Sequence, residues 1–160
     1  MVREALLDQE RQALKSRREQ KVMDAIIEAT TVELAPELVA EEEQTLFSRF
    51  REQLAKQNIE FEQWMAASQK KPEEVQEDFR KQAEQRLRLR FGMEHLMEER
   101  NIVPGEQDIQ SMVEQQLSSL PPEQREQARE AVKDPAYRAQ LEWQWKVERL
   151  LSDLLPIAAA

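Results

Sequence analysis

Apolar residues recur along this chain three and four positions apart, the period of a helix. Residues 2 to about 30 hold no glycine or proline and close on a stripe of Val22, Met23, Ile26 and Ile27, which predicts one long helix. Its first half, Gln9 to Gln20, is nearly all polar. Pro36 suits the first turn of a second helix, because its fixed φ and missing N–H cost nothing there. The apolar face of that helix is Leu38, Val39, Leu46, Phe47, Phe50 and Leu54. Asn58 suits the left-handed position that ends it, and Ile59 to Met65 then reads as a short helix. Pro72 opens the next and longest element, to about Arg100, which at 1.5 Å per residue would reach roughly 43 Å and must project or bridge. Ile109, Met112, Val113 and Leu117 mark the next helix, and Pro121-Pro122 separates it from a short polar one, Glu123 to Val132.

Asp134 as cap and Pro135 at the first helical position open the last helix, to about Leu155. At 100° per residue Ala136, Ala139, Trp143, Val147, Leu150 and Leu154 share one line, the stripe expected to pack. Leu141 and Trp145 fall on the opposite side, flanked by Arg138, Glu142, Glu148 and Arg149. That side is either a second packed surface or a patch for clients or self-association.

Composition narrows the class. Among 160 residues there are 2 glycines, where average usage near 7% would give about 11, so hairpins and tight βα turns have little to build on and the expected class is all-α. With 40% hydrophobic and 34% charged residues the core is expected to be thin. The net charge of −9 repels phosphate and anionic lipid, which argues against nucleic acid and membrane as partners. There are 0 cysteines, a charged N-terminus without an apolar signal core, and no apolar run near the roughly 18 residues of a membrane span. A soluble, cytoplasmic protein is expected.

Catalytic chemistry has little to work with. His95 is the single histidine and reads as a solvated helix residue. Glu41, Glu42 and Glu43 point about 100° apart and read as a solvated face, not a cation site. No glycine-rich phosphate loop or nucleophile motif is present, so neither a cofactor, a metal nor an enzymatic activity is expected. Arg86, Arg88 and Arg90 read as surface charge, beside Glu77 with Lys81, Glu52 with Lys56 and Glu142 with Lys146 at helical pairing distance.

Three stretches carry a resemblance. The first runs from Val22 through Thr30-Thr31-Val32-Glu33-Leu34-Ala35 to Pro36, followed by Val39 and Glu43, with Ala35 as one residue more than the usual pattern. The second is Ile59, Phe61, Glu62, Trp64, Met65, Ser68, Lys70, Glu73, Glu74, Val75 and Phe79, with Asn58 and Gln69 where glycine is common. The third is Phe79, Ala83, Glu84, Arg86 to Leu89, Phe91, Met93, Glu94, Leu96 and Ile102, with a weaker match at Arg138, Leu141, Lys146, Val147 and Leu150. In order and spacing they resemble the C-terminal domain of bacterial trigger factor, the ribosome-associated chaperone.

That resemblance implies a single elongated all-helical domain over residues 1–160, in which a non-contiguous body carries two projecting arms. The arms would be about 36–71 and 72–101, with the last helix, 134–155, returning to the body. It implies an ATP-independent holdase that cradles unfolded or nascent polypeptide on dispersed apolar patches, with adaptable methionines among them. The expected client-binding residues are Phe47, Phe50, Phe61, Trp64, Met65, Leu89, Met93, Met97, Met112, Leu141 and Trp145. The family's isomerase domain and ribosome-docking loop have no counterpart in this sequence, so isomerisation is not expected and a ribosome would be reached only through a missing N-terminal domain. A weak homodimer is compatible with this reading; a helical scaffold binding one folded partner and the helical part of a SurA-type periplasmic chaperone are the competing readings.

Overall fold

Every proline expected to open a helix does so. The computed structural model describes the backbone of residues 2–156 and their side chains apart from those of residues 2–6, 8, 127, 128 and 131. The described residues form seven helices and no strand: α1 (Val2–Ala29), α2 (Pro36–Lys56), α3 (Phe61–Ser68), α4 (Pro72–Glu99), α5 (Glu106–Ser119), α6 (Pro122–Ala131) and α7 (Pro135–Leu154). At the start of α7 the Asp134 carboxylate accepts the Ala136 N–H at 2.9 Å, the expected cap. Gly105 caps α5, and its N–H is accepted by the Asp108 carboxylate at 2.8 Å.

Three helices end on non-glycine residues in the left-handed region: Asn58 and Gln69 at φ 56° and Asn101 at φ 54°. The ends of α2 and α4 are the same motif. Asn58 donates to Ala55 and Ile59 to Leu54; Asn101 donates to Glu98 and Ile102 to Met97. In this motif the residue beyond the left-handed one folds back on the last apolar turn. Leu54, Met97 and Ile102 are accordingly buried.

The chain divides into two compact units, residues 26–92 and residues 1–25 with 93–160. In the first, Val39 of α2 and Ala83 and Leu87 of α4 form a core against which Leu34, Leu38, Leu46 and Phe91 pack. Gly92 sits inside α4 where the last turn of α1 lies against it. A Cβ there would come within 2.2 Å of Thr30 Oγ1 and 2.7 Å of Ile26 Cγ2. Thr30 is held by its own hydroxyl, which donates to the Ile26 carbonyl at 2.6 Å.

In the second unit α5 and α7 pack together. Tyr137 Oη donates to Gln116 Oε1 at 3.0 Å, and Arg138 reaches Glu106 with two guanidinium nitrogens while a third N–H goes to Glu142 at 3.2 Å. The stripe expected to pack along α7 is corrected at its start, and of the two readings of the opposite side the second packed surface holds at Leu141. Ala136 and Ala139 are exposed, Leu150 is fully buried, and Leu141, on the opposite side, is only 2% exposed. Nine residues separate Leu141 from Leu150, half a turn in angle, so α7 is covered on both sides.

Charges lie outside. Glu77 pairs with Lys81 at 3.4 Å as expected, whereas Glu142 takes Arg138 in place of Lys146, and Glu52 and Lys56 do not pair. Arg86 crosses to Glu42 of α2 at 3.2 Å. His95 is exposed. No helix among the described residues is long and apolar enough to cross a membrane.

Two substitutions test these constraints. Gly92→Ala should lower stability by about 2 kcal/mol, since the added methyl meets two side chains that are themselves fixed. Gln69→Gly should raise it by about 0.5 to 1 kcal/mol by relieving a left-handed residue. Both are read from urea unfolding midpoints.

Candidate functional site

Between α2, α3 and α4 five aromatic rings meet. Phe47 and Phe50 stand three residues apart on α2, Phe61 and Trp64 three apart on α3, and Phe79 one turn beyond Val75 on α4. Phe47 meets Phe61 edge-on with centroids 5.3 Å apart and Phe79 at 5.5 Å. Phe50 meets Trp64 at 4.8 Å and Phe79 at 5.5 Å, and Phe61 stacks on Trp64 at 5.9 Å. These are favoured geometries for ring quadrupoles, each worth about 0.5 to 1.5 kcal/mol beyond area burial. None of the rings is fully buried.

The cluster leaves a groove of about 570 Å³ walled by Phe47, Phe61, Met65, Val75 and Phe79, with Pro72 at one end. Glu43 and Glu62 stand on its rim, and neither has an ion-pair partner among the described residues. The surface offered is apolar with a negative border, suited to apolar side chains and hostile to acidic neighbours.

α3 owes its place to the rings and to its two ends, for it buries no residue fully. It enters through the Asn58 turn and leaves through Gln69. Beyond Gln69, Lys71 donates its N–H to the Glu74 carboxylate at 2.9 Å, and Lys70 Nζ reaches Asp78 Oδ2 at 2.6 Å. The hydrogen bond from Lys70 first, and its charge second, hold the Asp78 carboxyl below the ordinary carboxylate value, and Asp78 raises Lys70 in return.

The eleven expected client-binding residues divide. Phe47, Phe61 and Met65 line the groove, with Phe50 and Trp64 supporting its rings. Leu89 is half-buried on α4 outside the groove, and Met112 and Trp145 are half-buried on α5 and α7. Met93, Met97 and Leu141 are at most 4% exposed, which corrects their expected role: they are core, Met97 because the turn at Asn101 folds Ile102 back toward it. Val75 and Phe79 were absent from the expected set although they carry a wall of the groove. Their spacing, one turn apart just inside the Pro72 start, was the available signal.

Trp145 lies only about 40° round α7 from buried Leu141, so it belongs to a covered side. Trp145→Glu should lower stability by about 2 kcal/mol through lost packing and a half-buried charge, visible as a fall in melting temperature. For the Lys70–Asp78 pair the folded carboxyl titrates below its unfolded value, so its contribution is present above the ordinary carboxylate range and is lost as pH falls through the folded value. The melting-temperature gap between wild type and Asp78→Asn should therefore be widest near neutrality and close on acidification.

The sequence profile described as "Bacterial trigger factor protein (TF) C-terminus" matches residues 1–155. Trigger factors of two strains of Thermus thermophilus are each 34% identical over 115 residues. Those matches cover 71% of this chain and 28% of each relative, so the chain spans a minor part of their length. No solved structure gives a significant match. With the profile covering all seven helices in order, the chain belongs to the bacterial trigger factor C-terminal family.

Proposed function

We propose that this chain is an ATP-independent chaperone segment, a holdase that takes up unfolded or nascent polypeptide on exposed apolar patches and releases it unchanged. The observation that carries this reading is the ring-walled groove between α2, α3 and α4, open at the surface of a protein in which 34% of residues are charged. A half-exposed cluster of rings with a flexible methionine, Met65, suits clients of many shapes held weakly, because no client residue is specified by hydrogen bonds. Family membership supports the same reading. Glu43 and Glu62, without an ion-pair partner among the described residues, add a preference against acidic segments. The part of the family that docks on the ribosome is not among the residues this reading uses.

The test is light scattering from a chemically denatured model enzyme diluted into refolding buffer without nucleotide. Equimolar or excess chain should suppress scattering. Met65→Glu places a third carboxylate on the groove wall and should weaken suppression severalfold while leaving the melting temperature within a few degrees, since Met65 is only half-buried. Scattering unchanged by the wild-type chain at any ratio would remove the assignment.

A further inference from the structure

The connection between α1 and α2 alternates in exposure as a strand does. Residues 30–35 are neither helix nor turn, and the segment ends at Ala35 in the extended backbone that the following Pro36 favours, φ −62° and ψ 132°. Exposure alternates along it: Thr31, Glu33 and Ala35 are exposed, Val32 and Leu34 half-buried. That period of two is the signature of a strand with one face on a core, and Leu34 does pack on the Val39–Ala83–Leu87 cluster. The backbone N–H and C=O groups of Thr31, Val32, Glu33 and Leu34 make no hydrogen bond to any described residue. None of these residues is fully buried, so water can serve their main-chain groups, and an extended backbone left to water in this way is a template on which another chain can pair.

Beside this segment runs a second groove, of about 410 Å³, which shares Glu43 and Gln76 with the ring-walled one. Val32 and Leu34 form one wall, Val39 and Glu43 of α2 another, and Arg80 and Arg88 of α4 the third. Arg80 is engaged with Glu84 at 3.6 Å. Arg88 and Glu43 have no partner among the described residues, so the walls offer one free charge of each sign. All of these residues lie within the compact unit 26–92.

We propose that residues 31–34 are a pairing edge on which an extended stretch of unfolded polypeptide adds as a β-strand, its alternate apolar side chains entering the groove beside Val32 and Leu34. The occupant must be polypeptide, because only a second backbone presents N–H and C=O groups at the repeat of this edge. A charged side chain at one of its groove-side positions would also be received, a carboxylate by Arg88 or an amine by Glu43. Main-chain pairing recognises no particular sequence, which is what a holdase requires; the inference rests on the chaperone reading and gives it a second, chemically different contact.

Residue-resolved amide hydrogen exchange by NMR, with and without reduced, carboxymethylated lactalbumin as a permanently unfolded client, tests it. In the free protein the amides of residues 31–34 should exchange fast. With client, alternate amides, either Val32 and Leu34 or Thr31 and Glu33, should slow by about tenfold or more, because successive N–H groups point to opposite edges and one edge is used. Client bound at Phe47, Phe61 and Phe79, seen as shifted resonances there, with residues 31–34 still exchanging fast would overturn the pairing edge and leave the chaperone reading intact. A client that perturbs no resonance removes both. A second measurement uses an alternating valine–threonine decapeptide N-methylated on one edge or on the other. One version should bind about tenfold more weakly than its mirror-edge counterpart, the loss expected for one to two backbone hydrogen bonds. Equal binding of the two versions would overturn the proposal.

Discussion

The unit formed by residues 26–92 depends on how closely α1 can come to α4. Glycine inside a helix costs about 1 kcal/mol relative to alanine, so Gly92 is retained against local preference. What it permits is contact between the last turn of α1 and the backbone of α4, with Ile26 buried and Thr30 held back by its own hydroxyl. Any side chain at position 92 would push that turn outward by about the width of a methyl group. The strand-like connection that follows would then lose its footing, because Leu34 reaches the Val39–Ala83–Leu87 core only from a fixed starting point at Thr30.

From that fixed start the two grooves follow in turn. Residues 31–35 lie along α2 and α4, leaving the smaller groove between them. Farther along the same two helices the core gives way to rings, and α3 is laid across them by turns at Asn58 and Gln69. A thin core has few large residues to spare for a sealed interior. The five rings therefore make one another's contacts and stay partly exposed. Charge keeps this apolar area from spreading, since Glu43 and Glu62 stand at its border.

The helices were legible because their punctuation is local. Pro36, Pro72, Pro122 and Pro135 begin helices through a fixed φ and an N–H that nothing needs, and Asp134 caps through its own side chain. Asn58 and Gln69 stand where the resemblance implies glycine, and both adopt the left-handed backbone that glycine would serve. Most of the ring site was legible for the same reason: Phe47, Phe50, Phe61, Trp64 and Met65 recur at helical spacing. The faces were harder. Periodicity gives a helix's apolar stripe and is silent about whether one neighbour or two will cover it, and α7 has cover on both sides, which buried Leu141 against the expectation.

By itself, then, the sequence determined the class, the seven helices of the described residues and their ends, because each rests on the conformational preference of a residue and its near neighbours, and it carried the family through the order and spacing of whole stretches. The tertiary structure alone decided which apolar residues are core and which are surface. Met93 and Met97 went inward while Phe61 and Met65 stayed at a groove, although all four sit on similar amphipathic patterns. Burial depends on which helix lies opposite, a relation between residues far apart in the chain. The free edge at residues 31–34 belongs to the same category: whether a backbone group has a partner is a property of its neighbours in space.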